Sequence, residues 1–171
     1  LVIALLTGLI PILVIIFFEI SSFNHSPSDM NSKMWYLQDA YKLIWILSLF
    51  AFIQNFAREI LKDIQDIRGD KLIYVRSLPM IIGIKKTQII ISLILLIPVG
   101  IYMYFILSNS FHQIGLNPSN SIGLGIASAL NLIVIVRLLF TSKDELYWNN
   151  QLIKISMLFG LMTTFHASLI Y

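Results

Sequence analysis

The chain has no cysteine among its 171 residues. Disulfides and thiolate metal sites are therefore excluded. Charge is also scarce: Asp, Glu, Lys and Arg make up 12% of the sequence, against about 25% in an ordinary soluble domain. From Thr87 to Leu107 there is no charged residue at all. About 20 apolar residues span a bilayer, and a soluble domain of this size has no need of such a run. His25, His112 and His166 are far apart in sequence and form no recognisable ligand set. The net charge of +3 follows the pattern of membrane loops rather than a nucleic-acid face, so no nucleic acid is expected as a partner.

What is present is apolar: 57% of the residues are hydrophobic. They fall into five expected spans, at about Leu1–Ile20, Met34–Ala57, Thr87–Leu107, Ser121–Phe140 and Gln151–Tyr171. Clusters of Ser, Asn, Pro and Gly separate them, at 21–32, 108–121 and 141–150, and this is turn chemistry. The fold class expected is all-α, a multi-pass transmembrane helix bundle in one domain, 1–171. Residues 1–20 lack a basic leader and an initiating Met, and their apolar run is too long for a signal peptide. The expectation is a chain that begins inside a membrane helix, a fragment lacking N-terminal helices.

Seven of the twelve basic residues lie in 58–86, whereas 108–120 has none. The positive-inside rule then puts 58–86 on the cytoplasmic side of a multi-pass protein of the cell (inner) membrane. The same segment opens with NFAREILKDIQDIRGD, residues 55–70, which holds four of the nine acids. At about 100° per residue, Glu59, Asp63, Asp66 and Asp70 fall within about 60° of helix surface. Ile60, Leu61, Ile64 and Ile67 take a separate arc. The second span is expected to continue past the membrane as an amphipathic helix with a carboxylate row. Like charges four residues apart cost about 0.2–0.5 kcal/mol per pair, which Lys62 could offset by pairing with Asp66 or Glu59.

Two readings of this row stand side by side. It could be a solvated interfacial helix whose charges hold it at the surface. Yet a solubilising helix usually interleaves its signs, and sorted carboxylates suit a hard cation. Mg²⁺ takes oxygen ligands, typically one or two carboxylates plus substrate phosphates, and neighbouring cations suit phosphate oxygens.

Asn55, Arg58-Glu59-Ile60, Lys62-Asp63-Ile64, Asp66 and Gly69-Asp70, followed by Ser77-Leu78-Pro79 and Gly83, resemble the second aspartate-rich motif of the UbiA superfamily of intramembrane prenyltransferases. The Lys62-Asp63 form is most similar to the branch with geranylgeranylglycerol-phosphate geranylgeranyltransferases. The resemblance is close over about 30 residues and otherwise concerns topology; it implies the C-terminal part of a fold of about nine helices. It also implies a Mg²⁺-dependent transfer of a prenyl group from a prenyl diphosphate to a lipid or aromatic acceptor. On that basis Asp66 and Asp70 are the catalytic metal ligands and Asp63 an accessory one. Lys62, Arg58 and Asn55 are diphosphate-binding or ligand-orienting candidates. Tyr74 and Ser77 depart from the usual Gly and Thr. The family's first motif, NDxxDxxxD, is absent, so the chain alone is expected to be inactive.

The competing function is a cation-binding transport or channel subunit. It would need ionisable residues near mid-bilayer, and the third and fourth expected spans carry no Asp, Glu, Lys, Arg or His before Arg137. A CDP-alcohol phosphotransferase would open with DGxxAR, which is missing. Gly123, Gly125, Ala127 and Ala129 read as helix-packing positions. Asn131 and His166 read as interhelical hydrogen-bonding groups.

Overall fold

The computed structural model describes residues 30–72, 76–110, 121–140 and 146–168. Among these the structure is entirely helical. Five helices follow one another: α1 (Met30–Leu72), α2 (Leu78–Ile82), α3 (Ile84–Leu107), α4 (Ile122–Phe140) and α5 (Leu146–Ser168). The expected span Leu1–Ile20 and the side chain of His166 lie outside the described residues.

Two of these helices, α3 and α4, are long and apolar enough to cross a membrane. Their bounds lie close to the expected 87–107 and 121–140. Pro98 sits inside α3 without ending it. Leu93, Leu96 and Ile97 on α3, and Leu132, Ile133 and Val136 on α4, are large apolar side chains left exposed. That is the surface a lipid contact requires, since an exposed apolar patch of this extent marks an interaction surface.

At about 1.5 Å per residue, the 43 residues of α1 extend about 65 Å, roughly twice the hydrocarbon core of a bilayer. The helix runs without a break through Ala57, where the second span was expected to leave the membrane, to Leu72. Its apolar row is the reason. Ala57, Leu61 and Ile64 are fully buried and Ile60 and Ile67 nearly so. They form one core with Ile91 and Leu95 of α3, Val134, Ile135 and Leu138 of α4, and Leu146 and Ile153 of α5. The charged stretch is thus part of the bundle, packed at the end where α4 finishes and α3 and α5 begin.

A second cluster, Phe50 with Leu124 and Ala127, lies toward the other end, lined by Tyr102, Phe105 and Phe159. There α4 is wedged between its neighbours by two glycines. A Cβ on Gly123 would come within 2.6 Å of the Phe159 carbonyl oxygen and the Thr163 hydroxyl of α5. One on Gly125 would meet the Tyr102 hydroxyl of α3 at 2.6 Å. Small residues that let backbones approach are how helices associate in lipid; Gly123, Gly125 and the buried Ala127 fit that expectation, whereas Ala129 is exposed.

Between α1 and α3 lies the short helix α2, with Pro79 in its first turn, where proline's missing N–H costs nothing. Gly83 joins α2 to α3 at φ +90°, a conformation that favours glycine. Its N–H bonds back to the Pro79 carbonyl, and its own carbonyl accepts from the Thr87 N–H and hydroxyl. α5 starts at Leu146, five residues before the expected Gln151, because Leu146 and Asn149 are fully buried in the bundle.

Candidate functional site

The helical wheel expected from the sequence is realised in α1. Asp66 is exposed and Asp63 and Asp70 are partly buried, on the face away from the apolar row. No hydrogen bond or ion pair engages these three carboxylates among the described residues. Burial raises the Asp63 carboxyl above its ordinary value of 3.8, and the nearby charges of Asp70, Glu59 and Asp66 push the same way. The row therefore sets three carboxylates side by side with no bonded partner among the described residues.

The flanking groups behave less uniformly. Glu59 is paired with Arg58, Nη1 to Oε1 at 3.0 Å. Lys62, expected to pair with Asp66 or Glu59, bonds to neither and is exposed. The physical reason lies in position: Arg58 reaches Glu59 first, and a solvated lysine gains little from a surface pair. The Arg58 Nε is buried without a partner, a donor that a ligand could satisfy. Asn55 turns its amide back onto its own helix, donating to the Ala51 carbonyl at 3.0 Å.

Among the described residues, no group of three or more His, Asp or Glu side chains converges to hold a metal ion. The carboxylates stand in a line along the helix, at i, i+3 and i+7, rather than as a cage. Such a line offers one or two oxygens to a hard dication and leaves the remaining positions to water, phosphate or other protein groups. That matches how Mg²⁺ is usually held.

Comparison with characterised proteins decides the family. A segment of 47 residues is 53% identical to the digeranylgeranylglyceryl phosphate synthase of Pyrococcus furiosus, covering 28% of this chain and 17% of that protein. The Pyrococcus horikoshii enzyme of the same name is 51% identical over 47 residues, again 28% of this chain and 17% of that protein. The enzyme of that name from Korarchaeum cryptofilum is 32% identical over 117 residues, 68% of this chain and 41% of that protein. This chain belongs with these synthases, the UbiA-type prenyltransferases. Each match takes in less than half of the relative's length. No family model and no solved structure matches the chain.

In a chain related to prenyltransferases, two apolar helices point to a membrane protein. The residues that sequence reasoning did not single out are Gln54 and Ser156, both fully buried. Neither could have been paired from spacing, since they stand 102 residues apart.

Proposed function

We propose that the carboxylate face of α1 binds Mg²⁺ and the diphosphate of a prenyl donor, in a multi-pass membrane enzyme that transfers the prenyl group to a lipid acceptor. The observation that carries this reading is the row Asp63, Asp66 and Asp70, uncompensated among the described residues and set in a chain related to named prenyl-lipid synthases. The relatives' name favours an acceptor carrying a glyceryl phosphate over an aromatic one.

Asp66 and Asp70, one helical turn apart, would supply carboxylate oxygens to the metal, and Asp63 would assist from the partly buried side. Burial and its acidic neighbours raise the proton affinity of Asp63, and a dication held beside it would lower it again. Arg58 and Lys62 face the diphosphate oxygens, the buried Arg58 Nε gaining the partner it lacks. Asn55 orients ligands at the membrane end of the row. The bound metal supplies charge neutralisation on the departing diphosphate. As the allylic carbon–oxygen bond breaks, diphosphate leaves; the acceptor hydroxyl forms the new carbon–oxygen bond and releases its proton. The apolar walls of the bundle keep water from the cation-like carbon. The segment 58–86 faces the cytoplasm in this reading, with Lys85, Lys86 and Arg76, all exposed, at the membrane surface.

The transport or channel reading is less favoured, because α3 carries no Asp, Glu, Lys, Arg or His after Lys86 and α4 none before Arg137. Substitution in the full-length enzyme tests the proposal: Asp66→Ala and Asp70→Ala should abolish prenyl transfer from a labelled prenyl diphosphate while the protein stays folded. Near-normal turnover in Asp70→Asn would refute the metal role.

A further inference from the structure

Across α1 from the carboxylates lies a polar node that joins three helices among buried apolar side chains. Gln54, Asn131 and Ser156 are each 0% exposed and come from α1, α4 and α5. The Gln54 Nε2 donates to the Ser156 Oγ at 3.0 Å. That hydroxyl lies in donating reach of the Ala127 carbonyl at 3.0 Å and of the Asn131 Oδ1 at 3.1 Å. Asn131 is the middle residue of α4 and Ser156 is one residue from the middle of α5, so the node lies deep in the bundle. Gln54 is about 150° around the helix from the centre of the carboxylate row.

We propose that Gln54, Ser156 and Asn131 are positioning residues that set the rotation of α1 about its own axis, and thereby the direction of Asp66 and Asp70. The rotation lock stands on its own geometry; its consequence for metal binding rests on the function proposed above. Apolar side chains in lipid gain little from meeting one another rather than lipid tails, so packing and interhelical hydrogen bonds orient helices there. The row Ala57, Leu61 and Ile64 packs α1 but tolerates small turns. A hydrogen bond does not, because it weakens steeply with distance and angle. Side-chain ends lie about 5–6 Å from a helix axis, so a turn of about 30° sweeps them through about 3 Å. That breaks the Gln54 bond, and it also takes a carboxylate out of the about 2.1 Å reach of Mg²⁺.

The node's contribution to stability is partly offset. The Gln54 Oε1 and Asn131 Nδ2 are buried without partners, and a buried polar group left unpaired is destabilising. An apolar contact would hold the helices as well. What it would lack is direction.

The absence of native cysteine makes site-specific spin labelling direct. Nitroxides at Gly69→Cys and Lys154→Cys report the rotation of α1 against α5. Gly69 is exposed with no atom within 4 Å of an added Cβ, and Lys154 is exposed. In the full-length protein in lipid nanodiscs, without Mg²⁺ or substrate, pulsed electron resonance should give one narrow distance. Gln54→Met and Ser156→Ala should each broaden or shift it by a few ångströms. Ser156→Thr, which keeps the hydroxyl, should restore it, and Ile64→Val, an apolar trim on α1, should leave it narrow. Unlabelled Gln54→Met should also raise the half-saturating Mg²⁺ for prenyl transfer several-fold, with a smaller loss in kcat. Wild-type distances in Gln54→Met and Ser156→Ala, or equal broadening in Ile64→Val, would overturn the lock whether or not the protein transfers prenyl groups. Altered distances with unchanged Mg²⁺ dependence would overturn the positioning role. Failure of the function itself would appear separately, as undiminished transfer in Asp66→Ala.

Discussion

The two faces of α1 between residues 54 and 70 differ in one respect. Every group on the apolar face has its packing partner: Ala57, Leu61 and Ile64 are sealed against α3, α4 and α5. On the carboxylate face, Asp63, Asp66 and Asp70 have no partner among the described residues, and burial with mutual repulsion already raises the Asp63 carboxyl. A helix that only anchored the chain at a surface would gain from interleaving its charges. Here the buried apolar row packs without contribution from the acids, and the proposed function gives those acids a ligand. Substitutions on the two faces should therefore fail in different ways.

Removing carboxylates gives the largest effect. In the full-length enzyme Asp66→Ala and Asp70→Ala should each lower prenyl transfer by at least about 100-fold, beyond the about 10–100-fold usual for groups that merely support a ligand. The melting temperature should hardly move. The apolar face should show the converse. Leu61→Ala should cost about 2–5 kcal/mol of stability, read as a lower thermal midpoint, with transfer per folded molecule little changed. If Leu61→Ala instead killed activity at full stability, the division between the faces would be wrong.

A smaller loss is expected at Gly123→Ala, whose new Cβ meets the Phe159 carbonyl and Thr163 hydroxyl at 2.6 Å. Overpacking of this kind costs about 1–3 kcal/mol. The smallest effect concerns pH. The Asp63 carboxyl is raised above 3.8 in the folded protein, so between that value and its folded pKa the folded state holds a proton that the unfolded chain has lost. Stability then falls as pH rises through this window and returns on acidification. Melting followed across the acidic range without Mg²⁺ should show that slope, and Asp63→Asn should flatten it.

Which parts of this arrangement could be read from the sequence follows from the range of each signal. The helices α3 and α4 were legible because uncharged runs bounded by turn residues need no tertiary information. The sorting of the two faces of α1 was legible from a period of 3.6, and its continuation to Leu72 agrees with that reading. The short α2 was not anticipated, since five residues show no period, although Pro79 after Ser77 and Leu78 was the available cue. The start of α5 was misplaced because Asp144, Asn149 and Asn150 look like loop chemistry, while the burial of Leu146 and Asn149 comes from the bundle. Asn131 was expected to hydrogen-bond between helices, and it does, through Ser156. The bond between Gln54 and Ser156 crosses 102 residues, and no local pattern encodes it.

Amide hydrogen exchange across Asp63 to Asp70 in the intact enzyme tests the central claim most directly. The carboxylates repel one another, at about 0.2–0.5 kcal/mol for each like-charged pair one turn apart, and a bound dication would reverse that sign. The account predicts that Mg²⁺ together with a non-hydrolysable prenyl diphosphate analogue raises protection of these amides well beyond either alone, while 108–120 does not respond. Equal protection with and without Mg²⁺ would contradict it, and would return the row to the status of a solvated surface helix.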